Sequence, residues 1–313
     1  MKKNILTLAL ISVFAVSANA QTPPVTNDVA LAPADTVKVV ADTVWKTTLI
    51  GGLNLNQISF TNWAAGGDNS VSGNALLSFT ASHKKGDWGW DSFLDFAIGG
   101  NQTGSDPLEK TDDKIDISTK VGYNYSKDYY LSYLFSFKSQ FTEGFDEDTH
   151  ERISNFLAPG YVLNSIGVDL KPNDQTSVFL SPATMKTTFV LDDALSAAGD
   201  FGVDPGEEIR NEIGAYFIVR YKHTLMENVD FGTKLELFAS YTNNPQNIDV
   251  SWDVLLSFKV NKYINATLQT SLLYDDDIVV PKTKEDGRDG KGTQFKEVFG
   301  IGFSYKVNHA TVR

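Results

Sequence analysis

From Trp45 onward the chain is written in segments of about 10 to 15 residues that alternate apolar and polar with a period of two, which no helix can sort onto one face. The clearest runs Ile248, Val250, Trp252, Val254, Leu256, Phe258 and Val260, interleaved with Asp249, Ser251, Asp253, Ser257, Lys259 and Asn261, the one lapse being Leu255. Tyr129 to Phe141 and Ile115 to Tyr125 repeat the theme, as do Val229 to Tyr241, Ile264 to Tyr274 and Phe295 to Val307. The reading places strands near 47–58, 71–83, 87–99, 113–125, 129–141, 157–170, 175–189, 209–222, 228–241, 247–260, 263–275 and 294–307.

The connections between these strands alternate in length. His83-Lys84-Lys85-Gly86, Ser126-Lys127-Asp128, Lys171 to Asp174, Thr224 to Glu227 and Asn261-Lys262 are short, whereas 59–70, 100–112, 142–156, 190–208 and 276–293 are long, with a shorter member at 242–246. Tight turns on one rim and longer loops on the other are expected of an outer-membrane barrel with both termini in the periplasm. The expected fold is all-β, a transmembrane antiparallel up-and-down β-barrel of about twelve strands. A soluble periplasmic β-sandwich binding protein is the alternative, but it gives no reason for the alternation of connection lengths.

The first residues agree with export. Met1-Lys2-Lys3, the apolar run Ile5 to Val16 and then Ala18-Asn19-Ala20 follow the order of a signal peptide (1–20), cleaved after Ala20, with a run too short to span a bilayer as a helix. Residues 21–44 lack a sustained period and read as a flexible periplasmic segment, 45–307 as the barrel, and 308–313 as a short C-terminal tail. There is no cysteine, so neither a lipid anchor on cysteine nor a disulfide contributes. The formal charge of −12, which loses two more positive charges with Lys2 and Lys3, argues against nucleic acid as a partner.

Aromatic residues give a second check. Trp88, Trp90, Tyr123, Tyr125, Tyr129, Tyr221, Tyr263 and Tyr305 lie near the short-turn ends, and Phe60, Phe141, Tyr241 and Tyr274 near the loop ends, as two girdles at headgroup level would require. By parity the inward-facing set contains Asp91, Asp95, Lys114, Asp116, Lys120, Lys138, Asp230, Lys234, Glu236, Asp249, Asp253, Lys259 and Lys296. Charges of both signs inside a narrow barrel either pair and close it or line a small aqueous pore. The partners this implies are outer-membrane lipid, the barrel-assembly machinery, which receives aromatic-rich final strands such as Phe295 to Val307, and other envelope proteins.

Chemistry is sparsely signalled. Of four histidines, only His150, in FDEDTHERISN (145–155), sits on the loop side, where Asp146 or Asp148 could activate it in an outer-membrane hydrolase. A solvated acidic loop explains the same residues, and no catalytic residue is assigned. Asp275, Asp276 and Asp277, with the acidic stretch 285–289, could offer oxygens to calcium, but the spacing is not that of a calcium-binding loop. No metal or other cofactor is expected. Loop 190–208 could hold one helical turn around Asp192 to Ala198 and fold into the mouth.

The stretches GGLNLNQISFTNWAAGGDNS (51–70), LSPATMKTTFVLDD (180–193), NPQNIDVSWDVLLSFKVNKY (244–263) and YDDDI (274–278) resemble the Bacteroidetes family known as domain of unknown function 3078. The resemblance runs from about Trp45 to Val307. It implies an exported envelope protein forming an outer-membrane barrel, and it brings no assigned activity and no catalytic residue.

Overall fold

The computed structural model describes residues 44–312 apart from 60–67, 147–148, 174, 262 and 281–289. The signal peptide, the flexible segment up to residue 43, Phe60 and Asp148 therefore lie outside the described residues. Valine, threonine and aromatic side chains suit a pleated, half-buried surface, and they build β1 (Val44–Ile58), β2 (Ser70–Lys85), β3 (Trp88–Thr103), β4 (Glu109–Ser126) and β5 (Tyr129–Ser139). A small hairpin follows, β6 (Gly144–Phe145) with β7 (Arg152–Ser154). The chain continues as β8 (Gly160–Asn173), β9 (Thr176–Phe189), β10 (Ile209–Met226), β11 (Val229–Ser240), β12 (Asp249–Lys259), β13 (Ile264–Val280) and β14 (Gly290–Val312).

Apart from the β6–β7 hairpin, these strands form one closed, antiparallel, twelve-stranded barrel in which sequence neighbours are spatial neighbours. Closure rules out the two-sheet sandwich. β1 meets β14 over the register Val44↔Val312 to Asn54↔Gly302. The expected tail at 308–313 is thus corrected, since the strand continues to Val312 because β1 supplies a partner for its backbone.

The seam depends on Gly302. A Cβ there would overlap Asn54 Oδ1 and lie 2.6 Å from the Leu53 carbonyl oxygen, and Asn54 is held by donating from Nδ2 to Asn74 Oδ1 at 2.7 Å. Gly302→Val should prevent β1 from closing on β14, seen as loss of the compact, heat-modifiable band on a gel, while Gly51→Val, whose Cβ would meet nothing within 4 Å, should fold normally.

A closed barrel has an outside, and here it is apolar. Leu49, Leu53, Leu77, Trp90, Ile98, Leu131, Ile166, Leu180, Ile213, Trp252, Phe299, Ile301 and Phe303 are exposed large hydrophobics on its strands, alternating with buried Ser, Thr, Asp, Glu and Lys. Water would penalise such a surface, while a bilayer matches it. About 9 to 11 tilted residues cross a membrane, so β13 and β14, with 17 and 23 residues, project beyond it. The loop-side strands therefore run further than their alternation alone indicates, shrinking the connection expected at 100–112 to 104–108.

β9 carries a bulge that resets parity. Its pairing shifts between Gly214↔Thr184 and Tyr216↔Ser181 on β10, around Pro182, which has no N–H to give the ladder. Buried positions are odd before it (Ser177, Phe179, Ser181), and after it the even positions Thr184, Lys186 and Thr188 are buried, as is Thr187 between them.

Candidate functional site

The interior is where the polar face of every strand converges, and contacts between strands that are not neighbours must cross it. Lys138 on β5 pairs with Glu236 on β11, three strands intervening. Lys234, also on β11, reaches Asp116 on β4 at 3.2 Å, and lies 2.9 Å from Glu236 and 3.7 Å from Asp253. Lys114 stands 3.8 Å from Asp116, and Asp253 accepts from Ser271 at 2.6 Å. Nearer the short-turn rim Lys120 pairs with Asp169 at 2.7 Å and Lys171 with Asp91 at 2.6 Å. Asp95 accepts from Ser78, and Asp230 from Thr224 at 2.7 Å. Lys259 is buried, and its Nζ has no hydrogen-bond partner among the described residues. Lys296 on β14 reaches Asp112 on β4 at 3.0 Å near the loop rim.

The network has members beyond the inward-facing set named from the sequence. Asp169, Lys171, Lys186, Arg210, Glu212 and Arg220 join it, Arg220 stacking over the Phe93 ring at 5.0 Å. That set also omits the apolar plug of Leu134, Leu163, Phe179, Tyr216, Ile218 and Phe238, all buried inside the barrel with Tyr161 against them. The signal was present: Leu134, Phe238 and the lapse at Leu255 all occupy the parity of polar neighbours, and each points inward.

At the loop end a cap lies across the mouth. α1 (Asp193–Ala198) is N-capped by Asp192, whose Oδ1 accepts from the Ala194 and Leu195 N–H groups. Val190, Leu195, Val203 and Ala158 form its small core. Arg210 Nη1 donates to the Gly202 carbonyl at 2.9 Å and pairs with Asp277 on β13 at 2.8 Å, so the β9–β10 connection reaches past β11 and β12.

The acidic triplet is corrected here. Asp275, Asp276 and Asp277 lie in β13 rather than in a loop, because β13 runs to Val280. Asp249, Asp275 and Asp276 have carboxylate oxygens within 4.8 Å of one another, but Lys186 already stands 2.7 Å from Asp249 and 3.5 Å from Asp275, while Asn244 and Asn247 donate to Asp276. An ammonium thus supplies the countercharge a metal would bring.

His150 is exposed with φ 58° and bonds the Asp146 carbonyl through its backbone N–H, and Asp146 Oδ1 accepts from Thr149. Of the rim aromatics, Trp88, Trp90, Tyr123, Tyr125, Tyr129, Tyr263 and Tyr305 are exposed, whereas Tyr221 is half-buried between His223 and Phe231.

The cap carries a pH dependence. Burial would raise the Asp192 carboxyl, but hydrogen bonds from Asn155, Arg152 and the Leu195 N–H outweigh it and hold Asp192 below its ordinary 3.8. A carboxylate with a depressed folded pKa contributes stability above the unfolded value and loses it as pH falls through the folded one. The cap should therefore stay ordered at neutral pH and loosen only below pH 3.8, and Asp192→Ala should weaken it at neutral pH by about 1 kcal/mol. Amide hydrogen exchange over 193–198 reads both.

The closed strand order, the apolar exterior and the charged interior define the class, an outer-membrane β-barrel protein. Residues 55–145 match a family model described as "Protein of unknown function (DUF3078)". The chain matches that family over this segment, which is shorter than the span of the resemblance. No curated protein matches the chain. Among solved structures it is similar to an outer-membrane channel from Pseudomonas putida F1, at 10% identity and a TM-score of 0.39 over 90% of this chain and 100% of that one. It is also similar to the NanC porin (9%, TM-score 0.34, 85% and 99% covered) and to the translocator domain of the autotransporter NalP from Neisseria meningitidis (11%, 0.31, 87% and 90%).

Proposed function

We propose that this protein works as an outer-membrane barrel closed at rest, presenting its capped outer end to envelope partners, rather than as an open diffusion pore. The observation that carries this reading is the crossing of the interior by Lys138–Glu236 and Lys234–Asp116 beside the fully buried Phe179. A wide aqueous channel keeps its charges against the wall, whereas here ammonium and carboxylate groups from opposite walls meet. Lipid surrounds the apolar exterior, and the aromatic β14 is the strand offered to assembly machinery. Purified mature protein refolded into planar bilayers is expected to insert as a heat-modifiable barrel and stay electrically silent. Stable, reproducible conductance steps would overturn the closed reading in favour of a small-solute pore.

A further inference from the structure

The β1–β14 seam closes only part of the wall. Its register ends at Asn54↔Gly302, yet β1 continues to Ile58, paired with β2 as far as Ile58↔Ser70, and β14 continues toward Gly290, paired with β13 through Thr293. Leu55–Ile58 and Val298–Ile301 thus remain in their own sheets while no longer pairing with each other. A comparable break occurs in β13, where Asp275–Ile278 fall between Tyr274↔Thr293 and Val279↔Lys291, but there the ladder resumes, whereas the β1–β14 pairing does not resume among the described residues.

The parted edges sit in the apolar exterior. Leu53, Leu55 and Ile58 on one side and Phe299, Ile301 and Phe303 on the other are all exposed. Backbone N–H and C=O groups left open in hydrocarbon are costly, so such edges persist only where something polar meets them. Behind them the interior face is polar. Asn54 and Asn74 share a hydrogen bond, Asn56 is exposed, Gly300 and Gly302 contribute no side chain, and the Lys296–Asp112 pair lies above. The buried apolar cluster and the pairs that cross the interior come instead from β4, β5 and β8–β11.

We infer that the parted seam is a lateral portal through which an acyl amphiphile, with its chain in the bilayer and its hydrogen-bonding head group against Asn54, Asn56, Asn74 and the open strand edges, enters the barrel wall. For a molecule held in the lipid phase, the side of the barrel is the accessible route. The portal does not rest on the closed reading, since an electrically conducting barrel could carry it equally.

The absence of native cysteine makes a direct test clean. In vesicles, mild oxidant should form a disulfide readily in Leu53→Cys/Phe303→Cys, a registered pair, but far more slowly in Leu55→Cys/Ile301→Cys, which lies beyond the end of the register. A phospholipid with a photoreactive acyl chain should label Asn56 and Ser72 as well as the outer Leu55 and Phe299. A thiol-specific spanning cross-linker applied to the Leu55→Cys/Ile301→Cys variant should abolish the Asn56 and Ser72 labelling only. Ready oxidation of Leu55→Cys/Ile301→Cys, or labelling confined to outward residues, would overturn the portal.

Discussion

Replacing Lys234 by Met is expected to cost about 3–5 kcal/mol of barrel stability, because it removes one ammonium from among carboxylates and leaves them facing one another. Asp116, Glu236 and Asp253 all lie within 3.7 Å of Lys234 Nζ. The three acids would repel, take up protons or draw in water and cations. Urea unfolding in lipid vesicles, followed by tryptophan fluorescence, measures the loss. Lys234→Met/Asp116→Asn should recover part of it, since the second change removes a charge the first leaves unopposed. Lys234→Met alone should give cation-selective current in bilayers where the parent is silent, as the remaining local charge is negative. A loss below about 1 kcal/mol would mean that water already screens the group, as it does for exposed pairs.

Phe179→Ala is expected to be comparably destabilising for a different reason. Phe179 is 0% exposed and packs among Leu134, Leu163, Tyr216, Ile218 and Phe238, its ring 6.4 Å from that of Tyr216 with Lys120 5.9 Å away. Truncation leaves a cavity between well-anchored strands that cannot collapse, which typically costs about 3–5 kcal/mol. Phe179→Leu should cost much less, because it keeps most of the volume. Equal effects of the two would show that the interior there is loosely filled.

These two residues differ in how far the sequence exposes them. Lys234 is found by parity within β11, alternating with Thr233 and Leu235. Phe179 is hidden, because an apolar residue in an amphipathic strand is assigned outward by default, and the bulge at Pro182 scrambles the count on either side. Lys186 is missed for the same reason, since its inward direction follows from the reset phase. The pairing of Lys138 with Glu236, 98 residues away, is beyond any local pattern. The Asp275–Asp277 triplet shows the opposite error, where a cluster of acids suggests a loop but the triplet lies in an irregularity within β13, whose pairing with β14 resumes at Val279↔Lys291.

Alternation with a period of two and connections of alternating length were sufficient by themselves to determine a membrane barrel of twelve strands, because they record which side of each strand meets lipid and which rim meets the outside. Only the tertiary structure decided which charges meet across the interior, how the mouth is capped and where the β1–β14 register ends. Those depend on shear, on bulges and on the distance across the barrel, quantities that arise when strands remote in sequence are brought face to face and that no stretch of sequence contains.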